Sequence, residues 1–158
     1  MTLLRDVKLR RDRIRFLKSR GHLFFAKLAV KADLSPMEQL ALKVMEHGGV
    51  AFIVPDCEPH LESIVSRGAV FDGRNPVRIH GEPCRCHTNS ALYWSDHDDT
   101  VQIVTGYALS DDGVWRQHTW CRRLKSGRIV ESTEPRVLYF GVCLTHEESD
   151  TFYYSQVG

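Results

Sequence analysis

Between Ser35 and Gly68 the apolar residues recur at helical spacing, whereas from Thr100 onward they come in strand-length runs broken by turn residues. Residues 4–20 read as a helix with a narrow stripe of Leu4, Val7, Ile14 and Leu17, stopped at Gly21. Leu23 to Val30 reads as a second, more apolar helix. Ser35-Pro36-Met37-Glu38 is a helix start, with Ser35 as cap, Pro36 in the first turn and Glu38 placed for a capping box. Met37, Leu40, Ala41, Val44 and Met45 then share one face, and Gly48-Gly49 ends the helix. Val50–Val54 is strand-like, and Pro59–Arg67 forms a short helix with Leu61, Ile64 and Val65 inward. A further helix is predicted over Cys86–Trp94.

Four strands follow, at Thr100–Leu109, Val114–Leu124, Arg128–Ser132 and Val137–Leu144, with turns at Asp112-Gly113 and Ser126-Gly127. Helices first and a meander afterwards predict an α+β domain, with N-terminal helices packed on a small antiparallel sheet. The chain has 158 residues and no internal repeat or linker, which fits one domain: a helical, basic part over 1–70 and a helix-plus-sheet part over 80–144.

Composition narrows the class. A hydrophobic share of 42% with 26% charged residues is that of a globular protein. No apolar run approaches the roughly 18 residues of a membrane span, and the charged N-terminus lacks a signal-peptide core, so the expected location is the cytoplasm. Five cysteines, an odd number, are then expected as thiols rather than a disulfide framework. The net charge of +1 hides an asymmetry: residues 1–31 carry ten Lys/Arg against Asp6 and Asp12. Such a segment suits an anionic partner or, more simply, a solvated helix docked on its own acidic domain. No aromatic platform accompanies it, so nucleic acid is not the expected partner.

One set of residues has the makings of thiol chemistry. A nucleophilic cysteine needs a lowered pKa, a base within reach, and a group that orients the base. Cys86, at the start of its predicted helix, would have its thiolate favoured by the unpaired N–H groups and the positive dipole end. Its own N–H is a natural oxyanion donor, and Asn89 lies one turn on, on the same face. His118 and Trp120 share a strand face, so the indole can shield the imidazole. Glu131 and Glu134, on the far side of the Ser126-Gly127 turn, both come near His118 in a hairpin and both are candidates to orient it.

The ordered series Cys86-x-x-Asn89-Ser90, Ile103 to Ala108, His118-x-Trp120, Arg128 to Thr133 and Tyr139-Phe140-Gly141 resembles the transglutaminase-like branch of the papain-like cysteine enzymes. The resemblance covers about residues 80–144. It implies a papain-like core with Cys86 as nucleophile, His118 as base and Glu131 as orienting acid, a position where that group more often has Asp followed by Pro. Asn89 and Trp120 would support the pocket. It implies attack on a peptide or protein amide through an acyl-enzyme, as a peptidase, deamidase or transglutaminase-like acyltransferase, with no cofactor.

Two other readings use the same residues. A zinc site could draw on Cys84, Cys86, His87, His118 and Cys121, although the Cys84-x-Cys86 gap is tight and His118 and Cys121 face opposite sides of a strand. A catalytically inactive papain-like binding module would instead dock a partner through the basic N-terminal helix.

Overall fold

The computed structural model describes residues 33–158 together with Lys27 and Lys31. The helices expected over 4–20 and 23–30, and nearly all of the basic segment, lie outside the described residues.

Residues 33–158 fold as α+β, with four helices and one mixed seven-stranded sheet. Helix α1 (Pro36–Met45) begins as expected, with the Ser35 hydroxyl accepting from the Glu38 N–H at 3.2 Å and Pro36 in the first turn. The reciprocal half of the capping box is replaced: the Glu38 carboxylate accepts from Lys31 Nζ at 2.7 Å. Strand β1 (Ala51–Phe52), helix α2 (Leu61–Arg67), and strands β2 (Ala69–Asp72) and β3 (Val77–Arg78) follow. Helix α3 spans Cys86–Asp96. The meander is β4 (Val101–Leu109), β5 (Val114–Arg123), β6 (Ile129–Glu131) and β7 (Leu138–Cys143), and α4 (His146–Val157) closes the chain. The turns fall at the glycines that adopt positive φ, Gly113 at 82° and Gly127 at 72°.

The sheet order is β2-β7-β4-β5-β6-β3, and β1 adds to β5. It is larger than expected and not purely antiparallel. Strands β1 and β3 come from the helix-rich part and join the meander in parallel, at Ala51–Val114 and Val77–Val130. Strand β2 covers the outer edge of β7. The last helix carries no regular apolar period in the sequence; it starts at a full capping box between Thr145 and Glu148 and buries Phe152.

The helices pack on one sheet face, where Leu40, Ile64, Trp94, Ile103, Tyr107 and Phe152 join the main core. The opposite face carries a smaller cluster of Val104, Ala108, Trp120, Ile129 and Tyr139. One consequence positions the site. On the side of β5 away from β4, β1 pairs only at Val114–Trp115 and β6 only at Cys121–Arg122, so the edge between them is left for α3. Ser90 Oγ of α3 donates to the Thr119 carbonyl there at 3.1 Å.

Candidate active site

Cys86 is the first residue of α3 and reaches the β5 edge next to Thr119, whose backbone N–H donates to the sulfur. The turn that leads into the helix is held by its own residues. Asn89 donates to the Glu82 carbonyl at 2.8 Å and accepts from the Glu82 N–H at 3.2 Å, so it anchors the incoming loop instead of pointing at the thiol. Cys84 takes a left-handed φ of 61°, which turns the chain into the helix.

His118 projects from the face of β5 opposite the helices, beside the edge where Cys86 sits. Its imidazole is buried. Nε2 lies 2.9 Å from Glu131 Oε2, and the Cys86 thiol lies close enough to the ring to raise the imidazolium's stability. Trp120 stacks against the ring at 6.1 Å between centroids and 19° between planes, and is itself fully buried.

Glu131 is wholly buried, which is costly for a carboxylate unless every lone pair is used. Here four donors converge on it. Oε2 takes His118 and the Tyr139 hydroxyl at 2.7 Å, and Oε1 takes the Thr133 N–H and hydroxyl, both at 3.0 Å. Glu134, the other carboxylate within sequence reach, is exposed and lines the cleft without bonding His118. Sequence reasoning missed the roles of Tyr139 and Thr133. Thr133 follows Glu131 by two residues, a spacing at which a side-chain oxygen can accept from the backbone further along its own chain.

The electrostatics follow from this arrangement. Burial pushes the Cys86 thiol up, but the hydrogen bond and charge of His118, with the Thr119 N–H, outweigh it and hold the thiol below its ordinary value. Burial likewise disfavours the imidazolium, yet bonds to Cys86 and Glu131 carry His118 up to about 9. Glu131 would be raised by burial; His118, Tyr139 and Thr133 keep it below the usual carboxylate value. Cys121, by contrast, is pushed up to about 12 by burial, with the Glu131 charge adding to the effect. All three shifts run toward the charged form: thiolate, imidazolium and carboxylate.

No family model, no curated protein and no solved structure matches this chain.

Cys86 and His118 border a cleft of about 580 Å³, lined on its other sides by residues from Arg78 to Cys84 and Ser132 to Arg136, with Glu131 buried behind the imidazole. That is the size of a pocket for a small ligand or a few residues of peptide. The residues of the zinc reading are not gathered: Cys84 is exposed, His87 Nδ1 is 2.6 Å from Thr119 Oγ1, and Cys121 donates to the Ser90 carbonyl on the helix side of the sheet. Among the described residues no group of three or more His, Cys, Asp or Glu side chains is placed to hold a metal ion. Nor is any helix among them long and apolar enough to cross a membrane.

Proposed function

We propose that this chain is a cysteine-nucleophile amidohydrolase or acyltransferase, transglutaminase-like in its papain-like core, acting on a peptide or protein amide. The observation that carries the reading is the bond of His118 Nε2 to a fully satisfied, buried Glu131, with the ring beside a thiol at a helix start. A buried carboxylate–imidazole pair next to a lowered thiol is costly to build and suits acid–base work on a nucleophile.

The steps balance with these groups alone. The Cys86 thiolate attacks the carbonyl carbon, and the oxyanion meets the Cys86 N–H, which at the first helical position has no intrahelical acceptor. As the C–N bond breaks, the His118 imidazolium passes its proton to the leaving amine. Water or an amine then attacks the thioester, His118 accepts its proton, and the C–S bond breaks to restore the thiolate. Glu131 holds the ring orientation throughout and stabilises the imidazolium.

The test is alkylation by iodoacetamide at pH 7, read by peptide mass mapping. Cys86 is expected to react first, and to lose that preference in His118→Ala. Exposure to a lysate, followed by intact-mass analysis, is expected to leave an acyl adduct on the wild type and none on Cys86→Ala. Sluggish, equal labelling of all accessible thiols would sink the reading.

A further inference from the structure

The cleft that holds Cys86 is lined by three guanidinium groups, from Arg78 on β3, Arg116 on β5 and Arg136 ahead of β7. Arg116 is matched by a carboxylate: Asp112 takes it in a two-pronged pair at 3.0 and 2.8 Å. The other two are not matched in this way among the described residues. Arg78 donates to the Thr133 carbonyl at 3.1 Å, and Arg136 to the Ser110 hydroxyl at 3.0 Å. A guanidinium has five N–H donors in a fork that fits a carboxylate, so each keeps most of its capacity for something else. Against them the lining offers one carboxylate, the exposed Glu134.

Both arginines are also fixed to the frame that holds the reacting groups. Arg78 lies directly across the β3–β6 pairing from Glu131. The Arg136 N–H donates to the Tyr139 hydroxyl at 3.1 Å, and that hydroxyl donates to Glu131. The positive charges thus stand in a set relation to the thiol and are not carried on a loose rim.

The geometry points to an acidic peptide as the acyl donor, with a carboxylate side chain beside the attacked carbonyl and seated against Arg78 and Arg136. This inference rests on the cysteine acyl-transfer reading above and names its substrate class. A carboxylate at that place would find two guanidiniums in a cleft large enough for a few peptide residues, whereas a neutral amide would bring neither of them an opposing charge.

The experiment uses the full chain and a matched pair of acetyl-peptide chloromethyl ketones, one with Glu and one with Gln beside the reactive carbon. The rate of Cys86 modification is followed by mass spectrometry. At low salt the Glu probe is expected to react roughly tenfold faster than the Gln probe, with the ratio falling toward one at high salt as the charges are screened. Arg78→Gln and Arg136→Gln are each expected to lower the ratio by about threefold, the size of one partly exposed ion pair. Arg136→Lys keeps a cation for the case in which Arg136→Gln does not fold. A ratio near one at low salt in the wild type overturns the acidic-peptide assignment while leaving the nucleophile in place. Failure of both probes to label Cys86 overturns the nucleophile itself.

Discussion

Glu131 holds His118 at 2.9 Å from a position that is not across from it. The β5–β6 register pairs Cys121 with Val130, so one step on Glu131 stands opposite Trp120, two residues from His118 along the strand. The longer Glu side chain spans that diagonal, which is the geometric reason an extra methylene relative to Asp is tolerated here. It also leaves the carboxylate free to collect Tyr139 and Thr133 as well.

Glu131→Gln keeps the shape but turns one acceptor end into an N–H₂ group facing two donors. Loss of a buried charged partner of this kind costs about 3–5 kcal/mol, which denaturant unfolding will register. Thiol reactivity at neutral pH should drop at least tenfold, because the imidazolium loses its counter-charge. Unchanged reactivity would remove Glu131 from the orienting role.

Acid stability follows from the same carboxylate. Its folded pKa lies below the ordinary value of 4.5, so its contribution is present above that pH and is lost as the pH falls through the lowered value. Unfolding free energies of the wild type should therefore slope downward on acidification more steeply than those of Glu131→Gln.

Cys86 should be modified at pH values below the range of ordinary thiols, since its folded pKa is lowered, while Cys121, pushed up to about 12, stays inert. The alkaline limb of the imidazolium lies near 9. A pH–rate profile of alkylation checks this: His118→Ala should move the Cys86 limb back toward that of the thiols in the denatured chain. Coincident profiles for wild type and variant would contradict the pairing.

Asn89→Ala removes both bonds to the Glu82 backbone that tie the Cys86 turn to its helix. The cost should be about 1–3 kcal/mol, and Cys86 reactivity should fall although Asn89 does not touch the sulfur. Loss of stability alone, at constant reactivity, would confine Asn89 to a purely structural tie.

Gly141→Ala tests the floor of the site. A Cβ there would lie 2.5 Å from the Thr105 carbonyl oxygen and 2.8 Å from the edge of the Trp120 ring. Neither neighbour can yield cheaply, so overpacking should cost at least about 1–3 kcal/mol and displace the indole that stacks on His118. Intrinsic tryptophan fluorescence and thermal unfolding would both report it.

Local signals carried much of the architecture. Strand runs, the Asp112-Gly113 and Ser126-Gly127 turns and the Ser35-Pro36 start are set by neighbours in sequence, and the four meander strands fall within a residue or so of the expected ranges. Short strands without period, such as β2 and β3, carry no such signal, because two to four residues become strands only when a partner edge is there to pair with. The parallel joins of β1 and β3 were hidden for the same reason. Residue chemistry and order singled out Cys86, His118 and a carboxylate beyond the next turn. The resemblance implied Glu131 over Glu134; it is register, the Tyr139 and Thr133 donors, and burial, none of them local, that set Glu131 and not Glu134 against His118. Equally non-local is the meeting of thiol and imidazole, which depends on a stretch of β5 edge that β1 and β6 leave open for a helix start to fill.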